Sequence, residues 1–437
     1  MSQALEPARP AAARGAGEGG LKGLVRATEI DTRMLGMVGA LLVIWLVFHV
    51  ASGGVFLTPR NLWNLTVQTA SISVMATGMV LVIVTRNIDL SVGSILGFSG
   101  MVMAVMQTAV LPNLLGFGSP VLWIAALLAG LAVGVAIGGL QGYVIAYLGV
   151  PSFIVTLGGL LVWRGAAWWV TQGRTVAPLD DTFRLLGGGA EGALGSFWTW
   201  VLAGLACLAF AAGLLSQRRR RLRYGFPLRP VWAETLIGVV VFAAILGAAA
   251  VLNAYEWPAA ITRRYAEAND IAVPEGGLRI GYGVAVPVLV AILVGIVMTF
   301  VAKRTRFGRY VFAIGGNPEA AELAGINTRL VLTKVFMLMG GLAALGAAIS
   351  TARLNAATNA LGTLDELYVI AAAVIGGTSL AGGAGTIVGA MIGALVMQSL
   401  QSGMVLLGID SPMQSIVVGI VLVIAVWIDT VYRRRAA

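Results

Sequence analysis

A chain of 437 residues with 58% hydrophobic and only 11% charged side chains cannot remain dissolved as a globular domain, so the composition is that of an integral membrane protein. Its net charge of +10 comes from Lys and Arg gathered in short segments between apolar runs, which fits anionic lipid and membrane topology better than a nucleic-acid partner. One cysteine, Cys207, and one histidine, His49, exclude a disulfide framework, a clustered metal site and most nucleophile–base pairs.

Residues 1–33 are rich in Ala, Gly, Pro and Arg without apolar periodicity and read as a disordered cytoplasmic tail. The membrane-spanning body is expected over residues 34–432. Its first apolar run, 34–51, is too long for a signal-peptide core and lacks a small-residue cleavage site, so it is expected to be retained as a span. His49 at its end reads as a packing residue rather than a proton relay. Further apolar windows fall at 65–85, 92–111, 121–148, 153–171, 197–215, 231–252, 284–301, 331–351, 364–376, 386–407 and 413–431. Roughly 20 residues cross about 30 Å of hydrocarbon. The window at 364–376 is short and ends in glycine, and 65–85 is rich in Ser, Thr and Gln; either is a candidate broken helix. Ten to twelve crossings are therefore expected, in an all-α polytopic bundle.

With the N-terminus inside, the inner segments hold 21 of the 29 Lys and Arg residues, and an even number of crossings returns the C-terminal arginines to the same side. Two outer loops, 172–196 and 253–282, carry acidic residues among aromatics and arginines, and either docks an external partner or is merely solvated. Gly130, Gly134, Gly138 and Gly142 recur every four residues, as do Gly385, Gly389 and Gly393, and such bare faces let helix backbones approach within a protomer or between two copies.

Asp89 precedes Leu90-Ser91-Val92-Gly93-Ser94, where a carboxylate can cap a new helix within the membrane; a direct place on a transport path is the alternative. Arg164, between Trp163 and Trp168-Trp169, reads equally as an interfacial anchor or as a gate or contact to the partner. Hydroxyl and amide side chains can replace water along the route of a neutral solute, and candidates for such a path are Asn64, Gln68, Thr69, Ser71, Thr77, Ser91, Ser94, Ser152, Thr156, Thr378, Ser379, Gln398 and Ser402. Most of them, taken singly, are expected to bond backbone instead. No catalytic residue set and no metal ligand set emerges, and there is no phosphate-binding Gly-Lys-Ser or Gly-Lys-Thr, so energy for any pumping has to come from another polypeptide.

The polar stretch from Gly315 to Asn327 supplies a place for that polypeptide to act. Asn317 suits an N-cap, Pro318 the first helical position and Glu319 the first turn, while Gly325 can end the helix in a left-handed conformation. About two turns are expected, over Pro318 to Ala324, too short to persist alone in water. Ala320, Ala321 and Ala324 around Leu323 would offer a low-relief face for docking, and the flanks 303–334 are basic.

This stretch resembles the cytoplasmic coupling loop of permease subunits in ATP-binding-cassette importers of monosaccharides. The resemblance extends from about Thr58 to Trp427 and includes Asn87 to Ser94, Val150 to Gly158 and Ile375 to Gly383. It implies a homodimeric permease in the bacterial inner membrane, both termini cytoplasmic, working with a cytoplasmic ATPase that holds ATP and magnesium and with a periplasmic sugar-binding protein. The chain itself would bind no cofactor. The resemblance further implies coupling through Gly316, Asn317, Pro318, Glu319, Ala320, Ala321, Glu322 and Gly325, and xylose or a related monosaccharide as cargo. An ion-coupled sugar transporter using Asp89, or a relative carrying a nucleoside or signalling sugar, are the rival expectations. A membrane enzyme finds no supporting residues.

Overall fold

The computed structural model describes residues 28, 29, 32–116, 118–274 and 277–436. The tail expected over residues 1–33 therefore lies outside the described residues, apart from a few positions at its end. Helices account for the regular structure: α1 (Thr32–Ala51), α2 (Pro59–Val84), α3 (Val92–Leu115, with a π-helical turn at Met106–Val110), α4 (Leu122–Tyr147), α5 (Ser152–Thr171), α6 (Gly195–Arg223), α7 (Val231–Asn253) and a short α8 (Ala259–Ala268). They continue as α9 (Val286–Arg304), α10 (Arg306–Gly316), α11 (Pro318–Leu323), α12 (Thr328–Leu354), α13 (Asp365–Ile375), α14 (Ile387–Leu406) and α15 (Ser411–Ala436). Among the described residues ten helices are long and apolar enough to cross a bilayer, with a further apolar segment at Ser411–Trp427.

Of the two candidate broken helices, the window at 65–85 lies in the continuous α2, whereas the one at 364–376 is the short, unbroken α13, with irregular backbone on either side of it. After α12 the chain runs without a long helix to α13, and on the way the carbonyls of Leu361 and Gly362 come against Gly97 and Gly93 of α3. Beyond α13 the amide of Gly383 donates to the carbonyl of Val84 at the far end of α2, 3.0 Å away. A non-helical backbone at that depth survives only where protein satisfies its polar groups.

The chain divides into two compact units. The smaller holds residues 201–248 together with the described residues up to Leu35. In it α6 and α7 form a hairpin with Phe210 and Phe242 packed edge to face, and Arg218 pairs with Glu234 at 2.6 Å. Glu29 accepts from Arg221 at 2.6 Å and from Arg229 at 3.0 Å, and the two guanidinium groups hold its carboxyl down at about 2.

The larger unit, residues 36–200 and 249–437, is organised around α2. Its most apolar window is 94% buried, against 11% for α5, because α9, α12, α13 and α14 all pack on it. Lipid gives apolar helices little reason to associate, so close backbone contact supplies the adhesion. The stripe on α4 does this against α12: a side chain at Gly134 would strike the carbonyl of Gly340, and one at Gly138 the carbonyl of Phe336. Gly389 and Gly393 likewise face the carbonyls of Gly376 and Ala372, joining α14 to α13. Both stripes thus pack inside the protomer. His49 accepts from the amide of Leu57 at 3.3 Å, a local turn contact in keeping with a packing role.

Candidate functional site

The stretch around α11 forms as its residues dictate. The Asn317 side chain accepts from the amide of Ala320 at 3.0 Å, Pro318 occupies the first turn, and Gly325 adopts φ +81°. Asn327 then caps α12 through the amide of Leu330 at 3.0 Å, while Thr328 donates to Glu322 at 2.5 Å, so the helix is tied to its successor. One expectation needs correction. Ala321 does not belong to an outward face: it is buried, and its carbonyl receives the amide of Ile326 as the chain folds back. What projects instead is Leu323, 90% exposed, between exposed Ala320 and Ala324. The capped turn presents a single apolar knob, not a low-relief surface.

No motif in the sequence signals what connects this knob to the bundle. Arg86, just past α2 at φ +63°, donates from Nε to the carbonyl of Gly315 at 2.9 Å and from an η nitrogen to that of Gly316 at 2.7 Å. Those are carbonyls at the end of α10, where intrahelical partners run out. Gly315 itself lies against the Val84 carbonyl and the Gly383 amide, an approach that only glycine permits. The C-terminal end of α2 is thus fastened directly to the base of α11.

Within the bundle, the Asp89 carboxylate accepts from the amide and hydroxyl of Ser91, at 2.9 and 2.6 Å, and Ser91 stands 3.0 Å from Gln141. The expected cap is therefore an Asx turn just before α3 rather than a bond to amides inside that helix. Arg164 reaches backbone far away in the chain. Its guanidinium donates to the carbonyls of Asn359, Leu361 and Gly362 at 3.2, 2.7 and 3.1 Å, pinning the irregular backbone that leads into α13. Glu366, which no local pattern singles out, is buried on Gly93, and its Oε2 has no hydrogen-bond partner among the described residues.

The proposed path residues do not form one lining. Ser91 and Thr156 gather near Asp89, where the Thr156 hydroxyl is 2.8 Å from the Ser152 carbonyl and 3.3 Å from that of Ile88. Ser94, Thr378 and Ser379 are buried with hydroxyls unpartnered among the described residues. Thr69 donates to Leu65 at 2.6 Å and Ser71 to Gly346 at 3.0 Å, the backbone bonding expected of most of them. Gln68, whose Oε1 accepts from Gln398 at 3.1 Å, faces open space.

That space is a cavity of about 1160 Å³ at the end of α2 remote from α11. Trp63, Asn64, Val67 and Gln68 form one side, Arg353 and Asn355 at the end of α12 another, and the loops 172–196 and 253–282 the rest. The loops are zipped together rather than free. Leu194 donates to Val284 at 2.9 Å, Gly195 to Tyr282 at 3.0 Å and Val286 to Gly192 at 2.9 Å. Tyr255 stacks on Tyr282 at 4.5 Å, and Trp63 tilts against Tyr282 at 4.7 Å while its indole donates to Gly283 at 2.8 Å. Burial among these rings and the neighbouring Tyr255 push the Tyr282 phenol up to about 12, so it stays neutral.

Comparison with known proteins gives a consistent picture. A family described as the branched-chain amino acid transport system / permease component matches residues 61–217 and 185–426. The xylose transport system permease protein of Haemophilus influenzae is 36% identical over 407 residues, covering 93% of this chain and 98% of the relative. Its namesake in Escherichia coli K12 is 36% identical over 420 residues, 96% of each chain. The ribose import permease protein of the same strain is 34% identical over 374 residues, 86% of this chain and 87% of its own length. No solved structure matches.

Proposed function

The chain belongs to the family described as the branched-chain amino acid transport system / permease component, and from that premise we propose that it is the membrane-spanning subunit of an ATP-driven importer of xylose or a related monosaccharide. In this reading it sits in the inner membrane with both termini in the cytoplasm and pairs with a second copy of itself. A separate ATPase holds ATP and magnesium, and a sugar-binding protein delivers cargo from the periplasm.

The single observation that carries the reading is the exposed Leu323 on a short capped projection, preceded by the basic residues Lys303, Arg304, Arg306 and Arg309. An apolar side chain left almost wholly in water on such a short helix is a knob awaiting a socket. Closure of the ATPase pair would displace α11. Because Arg86 grips the end of α10 and also follows directly on α2, the displacement would reach the central helix and, along about 39 Å of it, the cavity at its other end.

The deciding experiment reconstitutes the full chain in liposomes with its ATPase and binding protein and follows labelled xylose. Uptake should require ATP and all three proteins and should ignore proton and sodium ionophores. Uptake without the ATPase, driven by an ion gradient, would overturn the reading in favour of a secondary transporter.

A further inference from the structure

The two outer loops wall a recess whose chemistry suits a particular kind of solute. Trp257 and Tyr265 line it, their rings meeting edge to face at 5.5 Å, and the Trp257 Nε1 is buried with no acceptor among the described residues. The amide nitrogen of Gln68 and the whole side chain of Asn64 likewise have no partner among the described residues, and both line the recess. Arg264 and Arg353 add planar donors that no hydrogen bond or ion pair holds among the described residues, while Arg184 is already paired with Asp181 at 2.6 Å. Glu191 supplies an acceptor on the same rim.

Aromatic faces beside uncommitted amides and guanidinium groups match a ring with apolar C–H faces and hydroxyls at its edge. We propose that this vestibule binds a neutral polyhydroxylated ring directly, the ring lying against Trp257 and Tyr265 with its hydroxyls on Asn64, Gln68 and Arg353. The permease then holds sugar by itself, before any passage through the bundle and without help from a binding protein. This deepens the reading of the chain as a sugar permease and rests on it. The carboxylates of Asp181 and Glu191 offset two of the three arginine charges on the lining, and the aromatic faces and amides suit a neutral sugar rather than a sugar acid.

The test uses the full-length chain in nanodiscs, with no ATPase or binding protein, and records saturation-transfer difference NMR with D-xylose and, separately, with D-xylonate. Xylose should give a signal that falls roughly five-fold in Gln68→Leu and in Asn64→Leu, the loss expected when one hydrogen bond is removed. Trp257→Ala should abolish it. Trp198→Ala, which alters an exposed ring outside the recess, should leave it unchanged. The two leucine variants change no loop residue, so a collapsed loop in Trp257→Ala cannot mimic the result. An absent xylose signal in the wild type, undiminished signals in the leucine variants, or a stronger signal for xylonate each overturns the proposal. Failure is distinguishable from failure of the transport reading: ATP-dependent xylose uptake by the complete system would persist in the first case and be missing in the second.

Discussion

The two ends of α2 are built on opposite plans. At one end the chain projects: α11 carries an exposed leucine, held by caps and by two bonds from Arg86. At the other it recedes: zipped loops enclose a cavity lined by polar groups, several of which have no partner among the described residues. A projection suits transmission of force, since a rigid partner needs one apolar anchor and a stiff attachment. A recess suits reception of a small solute, since it can surround the solute with donors and acceptors. The central helix joins the two, and its near-complete burial lets a shift at one end travel without being absorbed by lipid.

If the ends do separate these tasks, altering one should spare the other. The largest effect is expected from Leu323→Glu. ATP-driven uptake should drop to background while xylose binding to the isolated chain is retained; retained uptake would remove the knob from the mechanism. Next is Arg86→Ala, which frees the carbonyls of Gly315 and Gly316. Uptake should fall by roughly an order of magnitude, as expected for two charge-assisted bonds, while the ATPase still co-purifies with the chain. Loss of co-purification would show that Arg86 serves docking instead of transmission.

Arg164→Gln acts between the ends, loosening the backbone at Asn359 to Gly362. Thermal unfolding in detergent should show a loss of about 2 kcal/mol, and uptake should fall several-fold. An unchanged melting profile would argue that the three carbonyls find other partners. The smallest effect belongs to Glu29→Gln in the smaller unit, which contains neither the knob nor the recess. Because its two arginines lower the Glu29 pKa to about 2, the pairs stabilise the folded unit above the ordinary glutamate range, and this contribution fades as pH falls from about 4.5 toward 2. The carboxylate is exposed, so salt should erase the difference between variant and wild type, and uptake at neutral pH should not change.

Much of this architecture is legible in the residues alone. The composition requires a membrane bundle, the glycine spacing requires close helix pairs, and Asn317, Pro318 and Gly325 are residue types that encode a short capped helix by themselves. Other features are hidden for a physical reason. The start of α2 at Pro59 escapes an apolar window because Arg60, Asn61 and Asn64 interrupt it, although polarity there is what a cavity wall needs. Arg164 sits among tryptophans in sequence, which suggests a surface anchor, while its partners lie nearly 200 residues away. Glu366 looks like an ordinary first-turn acid, because nothing local marks the Gly93 backbone on which it lies.

By itself the sequence determined the elements whose causes are local: which segments are apolar enough to leave water, where a short helix starts and stops, and which faces are bare enough for backbones to meet. Only the tertiary structure decided that Ala321 turns inward and Leu323 outward, that Arg86 ties α2 to α10, and that two distant outer loops close over one recess. These depend on contacts between residues far apart in the chain, and residue type and spacing carry no record of which distant backbone a side chain will find.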